Sequence, residues 1–476
     1  MKITFLEPPS IEEKVPERLA GCTYELYHFP DLANLYPLTL LAAAGHDVRY
    51  IDSGLEKLDE EAFLGRVKED DSGIYVIHSV ILSKRTDLHF MEKILDMKDA
   101  VRIILHGPEP TRVPDQYLID SRVVICRGEI ENKILGCLEG GAPPGVSLFR
   151  EGRAVHVEPS GDLVDLDRLP VPDRFHPSIR RYALSYFNPK FRKRPYAAMM
   201  ASRGCAFRCL FCVPNSISFA RELEHINHFG KKPPPSVASA GRVVSEFEAI
   251  AGGGCKSVMV LDDQFLWGKE RTLEICRGIE PLSLEWGCLS RADFLTDEEV
   301  IEALARSGCS SIDIGVESFS QDVLDYIRKD LKAETARRAI ALLKKHGIDP
   351  KLNLMFGTCP AETEEDIAYT VGEAKKLEID NVMFSVATPF KGTEFYRFCK
   401  SEGYLIDDSD YINPLGKSVI SYPQLTGRDL ERLQRKAYRT FYLRPRFILK
   451  RLRRCASWST LKEDIKIAFE LFFQKR

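Results

Sequence analysis

The run YAAMMASRGCAFRCLFC, residues 196–212, sets a short apolar segment directly before three cysteines, Cys205, Cys209 and Cys212, spaced C-x3-C-x2-C with Phe211 just ahead of the last. An apolar run of that length ending in turn residues reads as a buried strand, which puts the cysteines on the loop after it. Three thiols on one tight loop are one ligand short of a structural zinc site, which is four-coordinate. His225 and His228 follow at a distance and keep zinc as an alternative. Three thiolates suit a 4Fe–4S cluster that leaves one iron open to an external ligand, an arrangement for catalysis rather than for structure.

Outward from this loop, short β-branched runs alternate with amphipathic stretches. Downstream come KSVMVLDDQF, LEWGCLSRAD, SSIDIGVES, DPKLNLMFGTCP and NVMFSVATPF, with EEVIEALARSG and AETARRAIALLKKHG between them. Six strand–helix units over 195–400 predict a partial (β/α)6 barrel whose chemistry lies on the loops after its strands. Upstream, MKITFLEPP, HDVRYIDS, GIYVIHSV, VRIILHGPEP and SRVVICRGE predict a doubly wound, Rossmann-like α/β domain over 1–140. Such sheets bind ligands at the carboxyl ends of their strands, where Ser53, His78, Ser79, His106, Gly107 and Glu129 fall as ligand contacts or as turn formers.

Residues 141–194, with EGGAPPG and VDLDRLPVPDRFHP, read as a connector. Residues 401–476 read as a helical, basic segment in which Arg451, Arg453 and Arg454 stand among Phe441, Tyr442, Phe447, Ile448 and Leu449. That is either a solvated helix face or a surface for anionic lipid. The 13 cysteines are odd in number and scattered, MKITFLEPPS is no signal peptide, and no apolar run approaches the ~20 residues of a membrane span. A cytoplasmic, reducing setting is expected, where clustered cysteines point to metal. A net charge of -3 and the lack of a recognition module argue against a nucleic-acid partner.

SRGCAFRCLFC resembles the cluster motif of the radical SAM enzymes. The resemblance implies Cys205, Cys209 and Cys212 as cluster ligands and Phe211 near the adenine of S-adenosylmethionine (SAM). VMVLDDQF implies Asp262 and Asp263 at the SAM amino group; CLSRADF implies Ser290 and Arg291 at its ribose or carboxylate. IGVES implies Glu317 and Ser318 beside the ribose. MFGTCPAETEEDI is similar to the family's G-x-P-x-E-T segment, stretched by one residue at Cys359, and ATPFKGTEFY to its P-x-x-G-T segment, which implies Thr388 near the adenine.

FLEPPS, GHDVRYIDS, CRGEIE and YRTFYLRPRFI resemble recurrent segments of the branch whose N-terminal domain binds cobalamin, a branch of C-methylating, cyclising and hopanoid-tailoring enzymes. The resemblance covers most of the chain and implies cobalamin beside the cluster and SAM. Three departures stand against the pattern. The D-x-H-x-x-G sequence is absent, Asp87 and His89 in DLHFMEK lacking the glycine; LYPLTLLAAAGHDV is short; and SISFARELEHINHFGKKPPPSVASAG adds an insertion within 213–240, a lid or a surface excursion. The activity implied is reductive cleavage of SAM and hydrogen abstraction from an unactivated carbon, leading to cobalamin-dependent C-methylation. Cyclisation, rearrangement or coupling without cobalamin, on a lipid or other small molecule, is the alternative, and a non-catalytic iron–sulfur scaffold or sensor a third. A flavodoxin or ferredoxin is the implied electron donor.

Overall fold

The computed structural model describes residues 1–25, 27–28, 30–409, 417–445 and 447–449. Two compact units divide the chain: 1–206 with 213–289 and 303–310, and 207–212 with 290–302 and 311 onward.

The first unit holds a seven-stranded sheet of order β2-β1-β3-β4-β5-β6-β7. Its strands are β1 (Lys2–Glu7), β2 (Asp47–Asp52), β3 (Ile74–His78), β4 (Arg102–His106), β5 (Val123–Cys126), β6 (Val146–Arg150) and β7 (Arg153–His156). The first five run parallel, and the last two add an antiparallel hairpin. Every residue of β3 and β5 is buried, as a parallel sheet covered on both faces requires. One face packs Phe5, Tyr50, Val76 and Ile104 against Leu35, Leu38 and Leu41 of α1 (Leu32–Ala43). The other packs Tyr75, Ile77 and Ile103 against Phe63 and Val67 of α2 (Glu60–Glu69) and Phe90 and Ile94 of α3 (Lys84–Met97). The sheet is doubly wound, as expected. The hairpin was not foreseen: it lies in the expected connector, and its two-residue turn, Glu151 and Gly152 at φ 52° and 75°, has the left-handed backbone that matches strand twist.

The second sheet has six strands in chain order: β8 (Tyr196–Met199), β9 (Ser257–Val260), β10 (Glu285–Ser290), β11 (Cys309–Glu317), β12 (Asp349–Phe356) and β13 (Asn381–Val386). β8, β9 and β10 pair in parallel, as do β11, β12 and β13. All six strand expectations are met.

The first half of the insertion is neither a loop lid nor a surface excursion. Most of it is a helix following α4 (Pro108–Arg112), namely α5 (Ser216–Phe229), capped by Asn215 and ended by Gly230 at φ 67°. α5 packs against α4 and buries Ile217, Ala220 and Leu223 together with Arg221, Glu222 and Glu224.

In the second unit a helix, here α6 (Gly427–Tyr442), opens with a capping box between Thr426 and Asp429 and buries Leu430, Leu433, Ala437 and Phe441. Its Gln434, Tyr438 and Tyr442 hydrogen-bond the outer backbone of β13: Phe384 O at 2.8 Å, Phe384 N at 3.2 Å, Val382 N at 2.9 Å and Val382 O at 2.7 Å. Two of the aromatics expected to meet lipid are thus used within the protein, while Ile448 and Leu449 are exposed. Arg451, Arg453 and Arg454 lie outside the described residues. Among the described residues no helix is long and apolar enough to cross a membrane.

Candidate active site

In the first unit the end of β8 is tied down from several sides. Asp262, fully buried, accepts from Ala201 N and from Ser202 Oγ, both at 2.6 Å, and Trp267 Nε1 donates to Ser202 Oγ at 2.9 Å. Burial pushes the Asp262 carboxyl up to about 7. Asp263 Oδ1 accepts from Asn215 N at 2.8 Å, whereas its Oδ2 is buried with no hydrogen-bond partner; burial raises this carboxyl as well. Both oxygens of Asp262 serve β8, and Asp263 alone of the pair keeps an acceptor in reserve.

Arg203 is almost wholly buried, its guanidinium spread over two carboxylates: Nη1 to Glu129 Oε1 at 2.8 Å and Nη2 to Glu131 Oε1 at 2.6 Å. Burial alone would lower its pKa, but Glu131 and Glu129 reverse this and hold it above the ordinary value. Arg221 Nη1 donates to Arg203 O at 2.7 Å, and Gly204, at φ 80°, donates its N–H to Ser218 Oγ at 2.8 Å. Glu129, at the strand end expected to meet a ligand, is therefore committed to Arg203, and its Oε2 accepts from Val164 N at 3.0 Å.

The other strand ends stay together. His78 Nδ1 meets Asp31 Oδ2 at 2.8 Å, its ring stacks on that of His106 at 4.9 Å, and His106 Nε2 contacts Asn34 Oδ1 at 3.0 Å. His78 Nε2 and Ser53 Oγ are buried without hydrogen-bond partners, while Ser79 Oγ is paired with Tyr117 OH at 2.8 Å. Burial and His78 push the His106 imidazole well below its ordinary range. Both histidines border a narrow recess with Gly107, Gly128, Glu129 and Glu131. A Cβ at Gly107 (φ 109°) would meet Ser79 O at 2.4 Å, and one at Gly128 (φ 62°) the Glu224 carboxylate of α5 at 2.1 Å, so only glycine serves at either position. His228 is taken up by Glu158 at 2.8 Å and Arg127 at 3.0 Å, and His225 lies against Phe229, which leaves zinc without support.

In the second unit the loop from Phe207 to Cys212 turns back on itself, Cys212 N donating to Cys209 O at 3.2 Å and Leu210 N to Ile327 O at 3.0 Å. Two cations border it. The Arg291 guanidinium stacks on Phe207, 3.5 Å from the ring centroid, bonds Asp293 at 3.0 Å and Asp330 O at 3.2 Å, and lies 4.0 Å from Cys209 Sγ. Lys329 Nζ pairs with Glu317 Oε1 at 3.0 Å, both buried, and lies 5.9 Å from the Phe211 centroid. Burial alone would lower the Lys329 ammonium; Glu317 and Cys209 outweigh it and raise it. Glu317 sits at φ 66°, and a Cβ on Gly315 would meet its Oε1 at 2.6 Å, so the pair fits only beside a glycine. Ser318 Oγ braces the next turn through Thr370 Oγ1 (3.0 Å) and Ser320 N (3.1 Å), Ser290 Oγ donates to Arg291 O at 3.1 Å, and Thr388 is half-buried with Oγ1 3.4 Å from Val386 O. Glu362, in the segment after β12, accepts from Gly357 N at 2.5 Å, and burial pushes it up to about 8.

Sequence reasoning missed Arg203, Glu131 and Lys329. Glu131 lies in CRGEIE and Arg203 in SRGCAFRCLFC, but nothing in either segment points to the other, 72 residues away, and Lys329 stands in none of the quoted motifs.

A parallel α/β enzyme with a cysteine-rich loop after β8 and fixed cations bordering that loop belongs to the class that works through an iron–sulfur cluster. Residues 199–374, which carry the cysteine loop, match the Radical SAM superfamily. It is 28% identical over 463 residues to an uncharacterized methyltransferase of Pyrococcus horikoshii, covering 94% of each chain. It is 23% identical to the anaerobic magnesium-protoporphyrin IX monomethyl ester cyclase of Rubrivivax gelatinosus, over 91% of this chain and 78% of that one. Its fold is similar to that of the cobalamin-dependent SAM radical enzyme OxsB, solved with aqua-cobalamin and SAM (TM-score 0.73, 15% identity, 97% of this chain and 70% of that one). It is also similar to the radical SAM methyltransferase TsrM of Kitasatospora setae, solved with cobalamin and a 4Fe–4S cluster (TM-score 0.66, 17% identity, 91% and 84%). The domain implies a 4Fe–4S cluster and SAM, and the donor set fits: Cys205 and Cys209 are half-buried and Cys212 exposed, whereas of the other described cysteines all but Cys22 are buried.

Proposed function

We propose that the protein is a cobalamin-dependent radical SAM methyltransferase acting on an unactivated carbon of a small molecule. The observation that carries this reading lies in the first unit. Glu129 and Glu131 line the strand-end recess and also grip Arg203, two residues before Cys205. The recess offers a cofactor a polar handle at its rim, because His78 Nε2 is buried there without a hydrogen-bond partner. An electron delivered through the cluster to cleave SAM, and a methyl group carried by cobalamin, are what these groups supply when bound.

The chain's own residues have distinct tasks. Cys205, Cys209 and Cys212 would hold the cluster. The free oxygen of Asp263 suits an ammonium, and Arg291 suits a carboxylate. Phe211, Ser290, Glu317, Ser318 and Thr388 are assigned to the nucleoside, with Lys329 holding Glu317 in place. His78, His106, Gly107 and Gly128 would border the corrin. At about 10 Å³ the recess is far below the ~300–1,000 Å³ of ordinary ligand pockets, so the elements that line it, α5 among them, must shift for a corrin to seat. A flavodoxin or ferredoxin supplies the electron.

The test is anaerobic: iron, sulfide and corrin are measured on protein produced with cobalamin, and 5′-deoxyadenosine and methylated product after reduction with SAM. About four irons and one corrin per chain are expected, with 5′-deoxyadenosine absent from Cys209→Ala. Nucleoside release from corrin-free protein would replace methylation with cyclisation or coupling; no release at all would leave a scaffold.

A further inference from the structure

The three residues before Cys205 are held more completely than a turn requires. Ser202 is bonded to Asp262 and Trp267, Arg203 O to Arg221, Gly204 N to Ser218, and the Arg203 side chain to Glu129 and Glu131. Arg221 Nε is 3.7 Å from Glu129 Oε2, so two arginines face two carboxylates and the buried network is charge-balanced. Desolvating four charges is a poor route to stability, since apolar residues of similar volume would serve as well or better. What such a network supplies is geometry: the planar guanidinium fork fixes direction at both carboxylates, which a lysine ammonium does not. Glu129 and Glu131 follow β5 of the N-terminal sheet, so the loop that reaches Cys205 is referenced to that domain.

We propose that Arg203 is a positioning residue for the iron–sulfur loop, anchored by Glu129 and Glu131 of the N-terminal domain. This rests on the reading of Cys205 as a cluster ligand. Residues that orient a metal ligand from behind change affinity or activity by about 10–100-fold when lost, without touching the metal.

The test uses the full chain, reconstituted anaerobically with iron and sulfide and reduced with dithionite. Electron paramagnetic resonance spectra are recorded with and without SAM for wild type, Arg203→Lys, Glu131→Gln and Asp87→Asn. The last is the control: Asp87 pairs with Arg18 at 2.8 Å, equally buried in the same unit but unconnected to the loop. Arg203→Lys and Glu131→Gln are expected to fold by circular dichroism, to show altered spectra, and to respond to SAM at least about tenfold more weakly. Asp87→Asn is expected to lose thermal stability and keep the wild-type spectra. Superimposable spectra for Arg203→Lys, Glu131→Gln and wild type would overturn the proposal, as would an equal change in Asp87→Asn. A wild type that holds iron but ignores SAM would instead remove the radical SAM reading, and this inference with it.

Discussion

Lys329→Met is the sharpest test of how the second unit holds its charges. The substitution removes the ammonium 3.0 Å from Glu317 Oε1 and leaves a carboxylate whose side chain is only 7% exposed. Removing one partner of a buried pair costs about 3–5 kcal/mol, because the remaining charge is neither solvated nor paired. Removing both charges, as in Glu317→Gln with Lys329→Met, should cost about 1–3 kcal/mol, the penalty of a buried neutral amide left without its partner. The double variant is thus expected to be more stable than the single. Lys329 has its pKa raised from 10.5, so the contribution of the pair is fully present below pH 10.5 and lost only as pH rises through the folded value. Urea unfolding at pH 7.5, followed by far-ultraviolet circular dichroism, therefore reads it whole. Equal losses for single and double variants would refute the reasoning, since the damage would then come from lost packing.

Glu362, held at about 8 against 4.5 when unfolded, keeps its proton in the folded state across that window. Stability should therefore fall by up to about 1.4 kcal/mol per pH unit as pH rises from 4.5 to 8, and Glu362→Gln should flatten the slope, measured as urea midpoints. Hydroxocobalamin should change amide hydrogen exchange in α5, residues 216–229, and leave α6 unaffected; binding without any change at α5 would place the corrin elsewhere.

The strands were legible because each is a short apolar run ended by turn residues, and all eleven expected runs became strands. The cysteine loop was legible because its spacing is local. α5 was not. A helix that buries Arg221, Glu222 and Glu224 looks like solvated surface in sequence, and its partners Glu129, Lys232 and Lys133 are known only once folded. Glu129 stays open to two readings in sequence for the same reason: the arginine that a strand-end carboxylate pairs with, 74 residues on, comes into view only in the fold. The Asp262–Asp263 pair was placed as a unit, yet the two side chains do different work, because alternate residues leaving a strand point to opposite sides.

The contacts of α6 with β13 have a consequence for assembly. Gln434, Tyr438 and Tyr442 recur every four residues and meet donors and acceptors of Val382 and Phe384 as a neighbouring strand would. The helix thus stands in for a seventh strand and ends the sheet by mimicry. A chain cut before Thr426 would expose those groups as a template for another copy, and it is expected to run as a larger assembly in size-exclusion chromatography than the whole chain does.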